Sequence, residues 1–302
     1  MYPVSTFSGE TGVVENYSPY GQSEDIQNLA SSNYKVVRSD DSDPRKWLSG
    51  SPICSLLAHW HIAHVGILWA KYPFEIKRKF QSGSFMMACL RGEGAVLVDG
   101  QWKRLRAGEA CLLPPFVLNT FKCVEGIDWD FCWVRYLESP ETKPIVTQHS
   151  PVMGKFDHAP LLAAIQGLYA ESCGAQNPGS LDHWIDLIQH YVMSFAQPQN
   201  YDDRLWRIWQ KVEQRLSRKW TLTELASIAH VSEEHLRRLC RQHYGRSPMQ
   251  HLTFLRMQKA KYLLSTTDDK IETIARAVSY DSPYTFSALF KRWVGWSPSK
   301  FR

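Results

Sequence analysis

The last hundred residues carry one local pattern twice, about 50 residues apart, and this repetition constrains the fold more than any other feature of the 302-residue chain. In the first copy, the apolar-patterned stretch Leu222-Thr-Glu-Leu-Ala-Ser-Ile-Ala-His-Val leads to Ser232 and a second helix that Gly245 ends. Small Ala226 and Ala229 let that second helix pack closely. Ser232 is its N-cap, because a serine hydroxyl can accept from the free amides of the next turn. Gly245 closes it as a C′ glycine does. Leu236, Leu239 and Cys240 form the stripe to be buried. Glu234, Arg237, Arg238 and Arg241, at i, i+3, i+4 and i+7, then share the opposite surface. Arginine suits the reading of guanine edges, since its planar fork bonds two acceptors at once.

The second copy runs Ile271-Glu-Thr-Ile-Ala-Arg-Ala-Val-Ser-Tyr280, then Asp281 through Gly295. Ser282 is the N-cap, and Pro283 takes the first helical position, where its missing N–H is harmless. Phe286, Leu289 and Phe290 face inward; Tyr284, Thr285, Ser287, Ala288 and Lys291 face outward. Between the copies, Pro248–Leu264 reads as one helix of roughly 25 Å. With its partners' widths added, it can set two reading helices about one DNA turn, ~34 Å, apart.

Charge follows the same division. Residues 203–302 hold 19 Lys+Arg against 9 Asp+Glu, a net of +10, whereas residues 1–202 hold 16 against 21, a net of −5. A basic block of domain size behind a mildly acidic body points to a polyanionic partner at one end. The predicted contact set to double-stranded promoter or operator DNA is therefore Glu234, Arg237, Arg238, Arg241, Tyr284, Thr285, Ser287, Ala288 and Lys291.

Residues 222–302 resemble the DNA-binding domain of the AraC/XylS family of transcription regulators. The resemblance rests on Ala226, Ser232, Leu236, Arg238, Gly245, Arg256, Ala260, Leu263-Leu264, Ile274-Ala275, Tyr280, Phe286, Phe290-Lys291, Gly295, Ser297-Pro298 and Phe301-Arg302. It implies base contacts from Glu234, Arg237 and Arg238 in the first helix and from Tyr284, Thr285 and Ala288 in the second. Two residues depart from the family pattern: Cys240 where Phe is usual, and Ser279 where Gly is usual. Ser279 must then turn the chain without glycine's freedom at positive φ. Ala288 replaces a longer polar reader, which implies looser reading by the second helix.

The front of the chain has a different texture. Residues 1–50 are rich in Ser, Asn and Asp, and read as an arm that is partly mobile or laid over the next domain. Residues 51–140 read as short strands between turns. Phe85–Leu90 is closed by Arg91-Gly-Glu-Gly94, and Ala95–Val98 runs into Asp99-Gly100, a strong hairpin signal. Many short strands with Gly and Pro turns argue for an antiparallel barrel or jelly roll. In residues 141–200 the period becomes helical, with Leu161, Leu162, Ile165, Leu168 and Tyr169 on one face. Leu181, Trp184, Ile185, Ile188, Tyr191, Val192 and Phe195 form another. This helical pair either covers the barrel or joins a second copy of the chain as a homodimer. Pro198–Asp203 reads as the linker. The expected class is α+β multidomain: a cupin-like β jelly roll with a helical pair, then an all-α domain over 203–302 with two helix–turn–helix units joined by a linker helix.

The strand pattern of 74–137 is also similar to the family's effector-binding barrel, through Leu90–Gly94, Arg106–Glu109, Leu112–Pro115 and Trp129–Tyr136. In the arabinose-sensing relatives, an early-strand Arg bonds sugar hydroxyls and a Trp stacks on the ring. Arg78 and Trp129 fall on those positions. An aromatic face and a forked donor suit a sugar's apolar face and hydroxyl edge. The His and Tyr that follow in the relatives are replaced here near Asn119, Thr120 and Phe121, so the polar contacts differ from those to arabinose. The expected effector set is Arg78, Trp129, His59, His61, Asn119 and Phe121, with Arg78 a surface residue and Trp129 ordinary core as the alternatives. His59, His61 and His64 invite a metal reading, because His59 and His61 share a face if their segment is a strand. No Glu follows them at short range and residues 110–125 hold no His, so no metal site and no cofactor is expected.

The seven cysteines are odd in number and form no C-x-x-C pair, which reads as buried thiols in a cytoplasmic protein. No apolar run is long enough to span a membrane. The reading is a regulator, not an enzyme: it binds DNA, responds to a small molecule such as a sugar, controls catabolic genes and engages RNA polymerase. The competing readings are a regulator governed by a partner protein and a metal-dependent cupin enzyme with a helical tail.

Overall fold

A computed structural model describes residues 22–79, 82–138, 145–197 and 202–302. Expectations for residues 1–21 and for the linker at 198–201 lie outside the described residues.

The N-terminal strands are β1 (Gln22–Gln27), β2 (Asn33–Arg38), β3 (Ile62–Ala70), β4 (Glu75–Lys79) and β5 (Phe85–Val98). They continue with β6 (Gln101–Arg106), β7 (Glu109–Leu113), β8 (Asn119–Cys123), β9 (Trp129–Tyr136) and β10 (Met153–Lys155). They pair antiparallel in the order β1-β4-β8-β5-β9-β3-β2, with β6 and β7 also on β5 and β10 on β7. The sheet curls into a half-barrel because β5 belongs to both sides. Its first part, Phe85–Ala88, pairs with β7 and β9, and Gly94–Val96 pairs with β6 and β8.

Three features differ from expectation. Residues 22–38 are part of the sheet and not a mobile arm: β1 pairs with β4 and β2 pairs with β3, so these two strands form the two ends of the sheet path. Edge strands need few apolar residues, which hid them. Second, Arg91–Gly94 is not a turn but a bend inside one 14-residue strand, with a register shift at Cys89/Arg91. Gly92, at φ 76°, permits the bend, and Gly94 admits the Trp129 ring, which a Cβ there would meet at 2.3 Å. Third, residues 141–200 hold more than helices, because β10 extends the sheet. The Asp99-Gly100 hairpin forms as expected, with φ of 52° and 73°.

Helices α1 (Ala159–Cys173) and α2 (Pro178–Ala196) lie on the outer face of the β3–β9–β5 side. Leu161, Ile165, Leu168, Ile185, Ile188 and Val192 join Val65, Ile67, Met86, Cys132 and Val134 in one core. The other face of the same strands supplies Phe85, Met87, Trp129, Phe131 and Trp133 to a second core inside the curl. Strand β9 is therefore buried at every position.

The C-terminal region holds α3 (Asp203–Glu213), α4 (Leu222–Ile228), α5 (Glu233–Tyr244) and α6 (Pro248–Thr266). It ends with α7 (Ile271–Ala277), α8 (Pro283–Val294) and α9 (Pro298–Phe301). It has two cores, one per helix–turn–helix unit. Leu225, Leu236, Leu239 and Cys240 build the first with Trp209 of α3; Ile274, Phe286 and Phe290 build the second with Phe301. Helix α6 serves both: Leu252 and Leu255 enter the first, Met257, Ala260 and Leu264 the second. Its 19 residues span about 28 Å.

Candidate nucleic-acid interface

Each unit builds its exposed second helix with the same local devices. Ser232 Oγ accepts from the His235 N–H at 3.2 Å, and Ser282 Oγ accepts from the Thr285 N–H at 3.3 Å. Gly245 and Gly295 close the helices at φ of 66° and 93°. The turn before each uses a non-glycine residue in the left-handed region, His230 at 53° and Ser279 at 69°. The buried stripes expected from the sequence face inward, with Leu236, Cys240, Phe286 and Phe290 at 0% exposure.

The outward faces carry the expected contact set. On α5, Glu234, Arg238 and Arg241 are exposed and Arg237 is half-buried. On α8, Tyr284 is 86% exposed, Thr285, Ala288 and Lys291 are exposed, and Ser287 is half-buried. Two of the α5 guanidiniums are held on their own helix. Arg237 bonds Glu233 at 3.2 Å and Glu234 at 3.4 Å, and Arg238 lies 2.9 Å from His235 Nδ1. Such exposed pairs contribute little, so exchanging them for base edges or phosphates is inexpensive.

Arg256 ties the two units together from α6. Its guanidinium donates to Leu216 O at 3.3 Å and Arg218 O at 2.7 Å, and it lies 5.7 Å from the Tyr280 ring centre. One residue thereby joins the entry to α4 with the turn before α8.

The half-barrel holds a narrow apolar cleft lined by Tyr34, Trp47, Arg78, Phe85, Phe121 and Trp133, among others. Arg78 is 6% exposed and is therefore not a surface residue. Its guanidinium lies 5.4 Å from the Phe85 ring and 5.5 Å from the Phe121 ring. Asn119 is buried and stands opposite Arg78 in the β4–β8 register. The structure so brings together Arg78, Asn119 and Phe121.

It leaves the other three expected effector residues elsewhere. Trp129 is fully buried core, 4.4 Å from the Phe131 ring, with Nε1 donating to Cys89 Sγ at 3.2 Å. His59 lies on a short 3₁₀ helix, Ser55–Trp60, and His61 caps it at φ 56°; both are exposed. Because the segment is not a strand, the two do not share an inward face. The histidine that points inward is His64 on β3. Trp133 Nε1 donates to its Nδ1 at 2.8 Å, and Arg45 lies 3.0 Å from Nε2. Burial, then the nearby Arg45, Arg135 and Arg78 charges, hold its pKa well below the usual range, so the ring is neutral.

Sequence reasoning missed Tyr34, Trp47 and Trp133. Trp133 carried a signal, since it shares strand parity with Trp129 and Phe131. Trp47 lies in a polar stretch without periodicity. Among the described residues no helix is long and apolar enough to cross a membrane, and no group of three His, Cys, Asp or Glu is placed to hold a metal.

Two capped helices on tandem units, each with a polar outward face, define the class of helix–turn–helix proteins. The family model described as "Helix-turn-helix domain" matches residues 225–302. The chain is 36% identical over 91 residues to the raffinose operon transcriptional regulatory protein of Pediococcus pentosaceus, covering 30% of this chain and 33% of that one. It spans about a third of that relative's length. It is 25% identical over 234 residues to the arabinose operon regulatory protein of Escherichia coli K12, covering 73% of this chain and 80% of that one. Among solved structures, the C-terminal domain of AraT from Geobacillus stearothermophilus is similar at 35% identity, with a TM-score of 0.32 over 33% of this chain and 84% of that chain. Residues 225–302 thus form a helix–turn–helix domain similar to those of AraC-type transcription regulators.

Proposed function

We propose that the chain is a sequence-specific DNA-binding transcription regulator whose half-barrel answers to a small molecule. The observation that carries the DNA-binding part is the pair of exposed, Ser-capped helices α5 and α8 on a region of net charge +10. Helix α5 reads bases through Glu234, Arg237 and Arg238, with Arg241 toward phosphate. Helix α8 reads through Tyr284, Thr285 and Ala288, with Ser287 and Lys291 on the backbone. Selection of random duplexes on the full-length protein tests this. One enriched motif is expected, and its affinity should fall linearly on a log–log salt plot, because phosphate contacts release counterions. Failure to enrich any sequence overturns the reading.

The effector is a small carbohydrate or sugar acid, held in the aromatic cleft with Arg78 as the donor to its oxygens and Asn119 and Phe121 beside it. Aromatic faces next to a buried guanidinium support this class. So do the names of two matched relatives, regulators of a raffinose and an arabinose operon. Catabolic genes are the corresponding targets. Thermal-shift measurement against monosaccharides, disaccharides and sugar acids should show stabilisation by at least one class. A flat panel removes the carbohydrate reading and leaves the DNA-binding one standing.

A further inference from the structure

Helices α5 and α8 have a second role at their other ends. A helix leaves its last carbonyls without partners inside the helix. Here the half-barrel supplies donors to both. Val152 N–H donates to Tyr244 O at 3.0 Å, and Lys103 Nζ donates to Gly245 O at 2.9 Å. Leu118 N–H donates to Val294 O at 2.8 Å. Lys103 also places a cation at the C-terminus of α5, where the helix dipole favours it.

One hairpin turn touches both helix ends. Asp99 accepts from Arg246, the residue after the α5 cap, through Nε at 2.6 Å and a terminal nitrogen at 3.1 Å. Arg246 is 2% exposed, and its guanidinium sits 4.1 Å from the Phe254 ring centre. Its forked pairing fixes orientation as well as distance. Gly100, the next residue in the turn, abuts the end of α8. A Cβ there would lie 2.6 Å from Arg292 Cγ and 2.8 Å from Arg292 O. Gly295 in turn approaches Leu118 so closely that its Cβ would lie 2.5 Å from Leu118 Cβ. Of the reading residues near the N-terminal ends, Glu234, Arg238, Tyr284, Thr285 and Ala288 stay exposed and Arg237 half-buried.

We propose that the half-barrel is a splint that fixes the distance and tilt between the two reading helices. Spacing selectivity for DNA is then a property of the full chain, set by positioning residues Asp99, Lys103 and Leu118 that never touch DNA. The proposal rests on the DNA-binding reading above. It makes a geometric demand, since each added base pair moves the second contacted segment by about 3.4 Å and about 35°. A splinted pair cannot follow that movement, and an unsplinted pair, joined through α6, the Lys219–Asp281 ion pair and Trp293, follows it more easily.

The test uses the duplex that the wild-type full chain enriches, together with versions carrying one base pair more or less between the two contacted segments. Wild type should lose about tenfold in affinity on either altered duplex. Asp99→Asn and Lys103→Met should lose less than about threefold, while binding the unaltered duplex nearly as wild type does. Lys103 is only half-buried, so its variant decides the matter if Asp99→Asn fails to fold. Equal tenfold penalties in wild type and variants overturn the splint alone. A pool from which wild type enriches nothing overturns the DNA-binding reading and the splint with it.

Discussion

Arg237 and Arg238 are neighbours in sequence with different holds, and the difference bears on what each can do. Arg237 is braced by Glu233 and Glu234, whereas Arg238 meets only His235 in the contacts described for α5. Arg237→Ala and Arg238→Ala should each cost about 1–3 kcal/mol of specific affinity per lost base contact. A quantitative mobility-shift titration on the enriched duplex checks this; unchanged binding in the double variant would remove α5 from the interface. These residues were legible because helical spacing and two Ser caps fix which side faces out. Ser279 was legible too: it adopts φ 69° where glycine is usual, as its place in the turn required. The effector residues were less so. Arg78 and Phe121 line the cleft, whereas His59, His61 and Trp129 do not. Nothing in the string His59-Trp-His61 marks a 3₁₀ helix against a strand, and only that choice decides whether the histidines look in or out.

Strand β9 shows why the half-barrel was harder to read than the helical region. Both of its faces are covered, so it has no polar alternation to reveal which parity lines the cleft. Trp129, Phe131 and Trp133 point into the curl, and Cys132, Val134 and Tyr136 point toward α1 and α2. Strands β1 and β2 failed in the opposite sense, being too polar to register as strands. The placement of Trp129 changes what its removal should do. Trp129→Ala opens a void beside Gly94 and Phe131 and should destabilise the half-barrel by about 3–5 kcal/mol. Urea unfolding followed by circular dichroism would show it; a loss below about 1 kcal/mol would take Trp129 out of the core. Any lost effector response in that variant then reports on folding, and Arg78→Ala is the cleaner probe of the cleft.

At the scale of the whole molecule, the acidic front and basic back meet through buried polar contacts, and one of them has an unusual protonation state. Lys261 of α6 donates from Nζ to Pro115 O in the half-barrel. It is 5% exposed, and burial pushes its pKa down to about 7, against a partial opposing pull from the Glu138 carboxylate. That carboxylate is already engaged, by the N–H and hydroxyl of Ser84 at 2.7 Å each and by the Ile145 N–H at 2.6 Å. An unfolded lysine keeps its proton up to about pH 10.4. Between about pH 7 and about pH 10.4 the unfolded chain thus binds a proton that the folded chain does not, so this residue makes stability rise with pH across that window. Below about pH 7 the lysine is charged in both states, and the full penalty of burying the charge is felt. Lys261→Met removes the titration together with the hydrogen bond. The stability difference between wild type and Lys261→Met should therefore shift in favour of wild type from pH 7 upward, by at most about 1.4 kcal/mol per pH unit. Urea unfolding of both proteins at several pH values across this window measures it. A difference that stays flat would mean that Lys261 remains charged where α6 meets the half-barrel, with Glu138 outweighing the burial.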